Sequence, residues 1–201
     1  MSFAIIGFGA VGQAVAKAFA RKNIKVAVSG RRPPEALASE AKAIGPTVLP
    51  MSVREAAEAD TVILAVPFAQ HRDVAKAAAN WDGKLVIDAM NAFGTPLAEF
   101  DGLTSSAVVA TAFPGARFLK GFNHLPAAKL AADPNVKGGR RVIFVAGDDA
   151  AALKSGAALI KQLGYAPVSL GSLAEGSVLT QARGNSWSPL DFVDLVQFDS
   201  E

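Results

Sequence analysis

Short apolar runs alternate along the chain with longer stretches in which apolar residues recur every three to four positions. Strands are expected at Ser2–Ile6, Lys25–Val28, Thr47–Leu49, Thr61–Ala65, Leu85–Asp88, Arg117–Lys120, Arg141–Ala146 and Ala166–Ser169. Helices are expected at Ala10–Arg21, Pro34–Ile44, Arg54–Ala59, Gln70–Asn80, Ser105–Ala112, Ala127–Ala132, Ala150–Leu163 and Leu173–Ala182. Such alternation specifies an α/β fold with a doubly wound, mainly parallel sheet and helices on both faces. The first helix is the clearest. Val11, Ala14, Val15, Ala18 and Phe19 form one apolar stripe, Gln13, Lys17 and Arg21 lie on the other side, and the basic residues near its end suit the helix dipole. Residues 1–183 are expected to form one domain that includes a C-terminal extension of the sheet, with 184–201 as a tail of mixed character. The polar stretch Asp133–Arg140 is too short for a domain linker.

Composition narrows the function classes. Hydrophobic residues make up 51% of the chain and charged ones 19%, enough apolar material for a sizeable core. Twenty basic residues against 18 acidic leave +2, too small a surplus to point to nucleic acid. The absence of cysteine excludes disulfides, thiolate catalysis and thiolate–metal sites. Two histidines without zinc-ligand spacing give no reason to expect a metal. No apolar run approaches the roughly 18 residues that cross a bilayer, and Met1-Ser2-Phe3 leads straight into a strand pattern. The expectation is a cytoplasmic protein with no membrane partner.

Candidate chemistry begins at Gly7-Phe8-Gly9-Ala10-Val11-Gly12, a G-x-G-x-x-G turn between an apolar strand and an amphipathic helix. In that context the first glycine permits a tight turn, the second lets backbone approach a pyrophosphate, and the third lets helix and strand pack closely. Free N–H groups at the helix start face the anion. The context makes the fold Rossmann-like. An NAD-preferring site places an acid at the end of the second strand to bind the ribose 2′-hydroxyl. Here that place is Ser29, followed by Gly30, Arg31 and Arg32; no acid lies between Asn23 and Pro34, and the next is Glu35. A guanidinium fork matches phosphate oxygens bidentately, so the arginines point to the 2′-phosphate of NADP(H).

The segments "IIGFGAVGQAVAKAFA", "VAVSGRRPPEAL", "ADTVILAVPFAQHRDV", "GKLVIDAMNAFG" and "FLKGFNHLPAA" resemble the coenzyme F-420 (deazaflavin)-dependent NADP oxidoreductase family. The same domain type is similar to the N-terminal part of pyrroline-5-carboxylate reductase and to the cytosolic domain of membrane ferric reductases. The resemblance implies that Val66, Pro67 and Phe68 pass close to the ribose and nicotinamide, with His71 near the cofactor edge. It implies that Asn91 lies beside the nicotinamide ribose, although the family's following proline is Ala92 here. It also implies that Phe122, Asn123, His124, Leu125 and Pro126 meet the acceptor, with Ala127 at the cofactor.

The implied activity is hydride transfer between NADP(H) and a deazaflavin- or flavin-like acceptor, a reaction for which the cofactor supplies the chemistry and the protein supplies orientation. No protein nucleophile is required, and His124 is the candidate to hydrogen-bond an acceptor oxygen or donate a proton, with a loop histidine of no chemical role as the alternative. Phe68, Phe93, Phe113 and Phe122 are candidates to wall a ring site, with core packing as the alternative. Other readings are a reductase of a ferric chelate or an imine, and a non-catalytic NADP(H)-binding redox sensor. The apolar helices Ala150–Leu163 and Leu173–Ala182 are candidates for a homodimer contact, an arrangement that the resemblance implies.

Overall fold

β1 (Phe3–Ile6), β2 (Val26–Ser29), β3 (Val48–Pro50), β4 (Thr61–Leu64), β5 (Leu85–Asp88), β6 (Arg117–Gly121), β9 (Val142–Ala146) and β10 (Ala166–Ser169) form one eight-stranded sheet. The structure is a computed structural model and describes residues 1–182 and 186–194, Leu97 without its side chain. Strand order is β10-β9-β6-β5-β4-β1-β2-β3. Pairing is parallel except at β6–β9. The order β3-β2-β1-β4-β5-β6 is the doubly wound arrangement, and it changes direction between β1 and β4, where such folds open a crevice at the strands' C-terminal ends. β7 (Asn135–Val136) and β8 (Gly139–Arg140) form a separate hairpin.

Covering the sheet are α1 (Ala10–Arg21), α2 (Pro34–Ile44), α3 (Val53–Ala57), α4 (His71–Ala75), α5 (Ser105–Thr111), α6 (Ala127–Ala131), α7 (Ala150–Gln162) and α8 (Leu173–Thr180). Every residue of β4, β5 and β9 is buried, as continuous apolar runs require when both faces are covered. Alternation then sorts the side chains. Ile5, Ile63, Ile87 and Leu119 are paired in register across four strands and join Val15, Phe19 and Leu159 in one core. Ile6, Leu64 and Val86 point to the other face and join Trp81, Val109 and Phe113. No helix among the described residues is long and apolar enough to cross a membrane.

Two segments depart from expectation. The helix expected over residues 70–80 is a 3-10 turn at Phe68–Gln70 followed by α4, which stops at Ala75. The Trp81 indole N–H donates to the Ala75 carbonyl at 2.8 Å, and Ala77 N bonds back to Val74 O, so the last turn tightens and the chain leaves the helix. The polar stretch 133–140 holds the β7–β8 hairpin. Its two-residue turn places Lys137 and Gly138 at φ +50° and +87°, the geometry that matches strand twist. Ser186–Asp194 folds back on the start of β9, with Val142 N donating to Phe192 O at 2.8 Å and Asp194 N to Arg140 O at 2.9 Å. Residues 183–185 and 195–201 of the expected tail lie outside the described residues.

Candidate functional site

The crevice between β1 and β4 is a cavity of about 810 Å³, and its floor is the glycine turn. Gly7 has φ +108°, a conformation that L side chains rarely adopt, and a Cβ there would collide with the Ala65 carbonyl. Its N–H donates to Ser29 O at 2.8 Å, tying the turn to the end of β2. Gly12 lies inside α1 against the turn, where a Cβ would meet the Gly7 carbonyl oxygen. Gly9 differs from both. It is the N-cap of α1, no side chain caps the helix, and a Cβ would meet nothing within 4 Å. The first N–H groups of α1, those of Ala10, Val11 and Gly12, have no partner within the helix. Bare backbone facing open space beneath a helix start fits an anionic pyrophosphate.

Ile6, Gly7, Phe8 and Gly9 line one side of the cavity; Gly30, Arg31 and Arg32 line the β2 end; Ala65, Val66, Pro67, Gln70 and Val74 close it from β4 and α4. Arg31 is exposed and has no hydrogen-bond or ion-pair partner among the described residues. Arg32 donates bidentately to Glu40 on α2, Nη1 to Oε1 at 2.7 Å and Nη2 to Oε2 at 2.8 Å. Glu40 Oε2 also accepts from Gln13 Nε2 at 3.2 Å, and the same amide reaches the Phe8 carbonyl at 3.2 Å. The bond to Glu40 pushes the Arg32 pKa up, and Arg32 holds the Glu40 carboxyl below its ordinary range. Sequence proximity leaves the arginines without a neighbouring acid; the fold corrects that, because the first two turns of α2 bring Glu40 back onto Arg32.

Several other expected site residues do not line this cavity. Ser29 is fully buried and its hydroxyl has no partner among the described residues, so what it gives the site is the backbone carbonyl that holds Gly7. Phe68 packs on Phe100 and on the His71 ring, at centroid distances of 5.6 and 5.0 Å. His71 is buried with Nδ1 2.6 Å from the Phe68 carbonyl, to which it donates, so it staples the 3-10 turn. Asn91 exchanges hydrogen bonds with Asn123. Its Nδ2 donates to Asn123 O at 2.9 Å, and its Oδ1 accepts from Asn123 Nδ2 at 3.2 Å and from Ala182 N at 3.3 Å. Ala127 opens α6 and packs against the core.

The segment expected to meet the acceptor is mostly interior. Phe122, at φ +63°, is fully buried; Asn123 and Leu125 are buried, and only Pro126 is exposed. His124 lies against Phe144 (centroids 5.0 Å apart), and Phe144 in turn packs on Trp187 and Phe192 of the returning C-terminal segment. Neither ring nitrogen of His124 has a hydrogen-bond partner among the described residues, and burial pushes its pKa down to about 4, partly opposed by Asp191. In this conformation His124 is a neutral interior group without access to an acceptor. Of the four phenylalanines considered for a ring site, Phe113 and Phe122 are core residues and Phe68 is packed in an aromatic cluster, while Phe93 is 71% exposed.

Sequence reading also missed a polar cluster at the C-terminal ends of β5 and β6. Asp88 and Lys120 are both buried, with Nζ 3.0 Å from Oδ2; Ser106 Oγ donates to Oδ2 at 2.9 Å and Met90 N to Oδ1 at 2.8 Å. Lys120 Nζ also donates to the Met90 carbonyl. The cluster fixes the turn that leads to Asn91. An acid and a lysine ending two apolar runs were the available signal, but only the parallel register makes them partners.

Comparison with known proteins agrees with this geometry. Residues 2–92 match the family model described as NADP oxidoreductase coenzyme F420-dependent. A hypothetical protein from Sinorhizobium meliloti is 38% identical and superposes with TM-score 0.90 over 96% of both chains. A candidate F420-dependent NADP-reductase from Arthrobacter sp. FB24 is 27% identical, with TM-score 0.70 over 86% of each chain. A reductive aminase from Aspergillus terreus, in complex with NADPH4, cyclohexanone and allyl amine, shares the fold at 21% identity, with TM-score 0.64 over 89% of this chain and 58% of its own. No curated protein matches the chain. A glycine turn that suits a dinucleotide, arginines on the same cavity wall and these matches agree on an NADP-dependent oxidoreductase of Rossmann-like fold, whose residues 2–92 are similar to the coenzyme F420-dependent NADP oxidoreductase family.

Proposed function

We propose that this NADP-dependent oxidoreductase transfers hydride between NADP(H) and a planar deazaflavin- or flavin-like acceptor. The observation that carries the cofactor half is the single cavity running from the bare glycine turn to Arg31 and Arg32. Gly9 and the first N–H groups of α1 would hold the pyrophosphate. Arg31, with Arg32, would hold the 2′-phosphate, and Val66 and Pro67 would border the nicotinamide half. When bound, the cofactor supplies the hydride chemistry; the protein binds, orients and excludes water. Support for a deazaflavin-like acceptor is the family match and the 27% identical reductase.

Titration of wild type and of the Arg31→Ala/Arg32→Ala variant with NADPH and NADH tests the cofactor assignment. Loss confined to NADPH is expected, and equal losses for both cofactors overturn it. Following NADPH oxidation with deazaflavin, FMN, ferric-chelate and imine acceptors tests the second half. Turnover with an imine or a ferric chelate alone overturns the ring acceptor, and tight NADPH binding without any turnover marks a sensor.

A further inference from the structure

The Arg32–Glu40 pair stands at the one place in the cavity where the proposed function needs positive charge. Arg31 and Arg32 supply two cations at the β2 end, and Glu40 cancels one of them. The pair is bidentate, so both outer nitrogens of the Arg32 fork are engaged by carboxylate oxygens at 2.7 and 2.8 Å. A phosphate recognised in the same bidentate way uses the same fork. Both side chains are half exposed, so the pair can exchange partners without opening the core. Glu40 also has a second holder in Gln13, whose amide bridges it to the Phe8 carbonyl of the glycine turn. The carboxylate therefore has a donor to stay with when Arg32 turns away.

We infer that Glu40 is a specificity-setting residue, an internal counter-ion that Arg32 exchanges for the 2′-phosphate, so that this carboxylate limits how strongly the site prefers the phosphorylated dinucleotide. The inference rests on the NADP(H) assignment of the cavity. Its physical content is competition. Binding of a 2′-phosphate must take Arg32 from a partner that already satisfies it, and must do so beside a carboxylate of the same sign as the ligand. A dinucleotide with a free 2′-hydroxyl pays neither cost. Charge near the ligand rises from one net positive to two when the carboxylate is neutralised. At separations of about 6 Å in a largely aqueous setting that change corresponds to an affinity gain of about three- to tenfold for a dianion, shrinking with added salt.

The test is calorimetric titration of wild type, Glu40→Gln, Arg32→Ala and the double variant with NADPH, NADH and 2′,5′-ADP at two salt concentrations. Glu40→Gln keeps the size and one acceptor oxygen of the side chain and lies on the surface, so thermal melting serves as the folding control. The expected result is a three- to tenfold tightening for NADPH and 2′,5′-ADP, less than twofold change for NADH, and loss of the gain in the Arg32→Ala background. Weaker NADPH binding in Glu40→Gln overturns the inference and makes Glu40 a support that aims Arg32. Equal tightening for NADPH and NADH also overturns it, as does a gain that persists without Arg32. Wild-type binding that is equally tight for NADPH and NADH is a separate failure: it removes the NADP(H) assignment itself, and the inference with it.

Discussion

Lys120 and Asp88 face each other as register partners of the parallel β5–β6 ladder, with Nζ 3.0 Å from Oδ2 and neither side chain open to solvent. Burying both charges is costly, and the arrangement holds because each has further partners: Ser106 and Met90 N for the carboxylate, the Met90 carbonyl for the ammonium. Removing one member strands the other in a dry site. Lys120→Met is therefore expected to lower stability by about 3 kcal/mol or more, read as a shift of the urea midpoint at unchanged slope. The Asp88→Leu/Lys120→Met double variant should recover part of that loss, since two apolar side chains leave no orphaned charge. A double variant less stable than either single one would show that the pair itself is a net stabiliser.

Gly9 and Gly12 belong to one motif but do different work. A methyl group on Gly12 meets the Gly7 carbonyl, so Gly12→Ala must push α1 off the turn, at about 1–3 kcal/mol. Gly9 has ordinary extended backbone, φ −84° and ψ −164°, and open space where a Cβ would go. Gly9→Ala should cost no more than about 1 kcal/mol, the difference between glycine and alanine as an N-cap. It should weaken NADPH binding by about tenfold or more, because the methyl occupies the approach that the pyrophosphate needs. Melting curves and NADPH titration separate the two variants. A Gly9→Ala protein that binds NADPH like wild type would place the pyrophosphate elsewhere.

Periodicity made the sheet legible because β4, β5 and β9 are buried on both faces and therefore largely apolar, and α1 carries one unbroken stripe. The glycine turn was legible for a related reason: local backbone geometry fixes which residues are tolerated at Gly7 and Gly12. What escaped was set by contacts that exist only once the elements have formed and packed. Glu40 reaches Arg32 only after α2 has formed, and Lys120 meets Asp88 only through strand register, 32 residues away. The interior position of His124 depends on Phe144 and on a segment returning from beyond residue 186, which composition could not assign. His71 and His124, expected at the cofactor edge and beside the acceptor, are both buried, a placement that local sequence does not reveal.

His124 makes stability depend on pH. Its native pKa lies at about 4 because burial disfavours the cation, against 6.5 for an unhindered histidine. Between those values the unfolded chain binds a proton that the folded chain refuses, so stability falls as pH drops from 6.5 toward 4. The loss attributable to His124 is on the order of 3 kcal/mol across that window. His124→Phe keeps a ring beside Phe144 and removes the proton site. Urea unfolding of both proteins from pH 7 to 4.5 should give curves that diverge as pH falls, the variant being the less affected. Carboxylates held low by their partners, such as Asp133 and Asp194, titrate in both proteins and cancel in the difference. Parallel curves would mean that His124 is accessible to protons in the folded state.

Phe122 and Phe93 separate packing from recognition among the aromatic residues near the ends of β5 and β6. Phe122 sits at positive φ with no exposed surface, so its ring holds the β6–α6 connection against the core. Phe122→Ala is expected to cost about 3–5 kcal/mol. Phe93, two residues past Asn91, is 71% exposed and contributes little to the core, so Phe93→Ala should stay within about 0.5 kcal/mol of wild type. Its exposed ring is available to a planar acceptor, and an aromatic contact contributes about 0.5–1.5 kcal/mol beyond area burial. Phe93→Ala should therefore lower kcat/KM for a deazaflavin or flavin acceptor by about two- to tenfold, while the NADPH Kd stays unchanged. Unaltered kcat/KM in the folded variant would take Phe93 out of the acceptor site. A loss of NADPH affinity would instead place it on the cofactor side of the reaction.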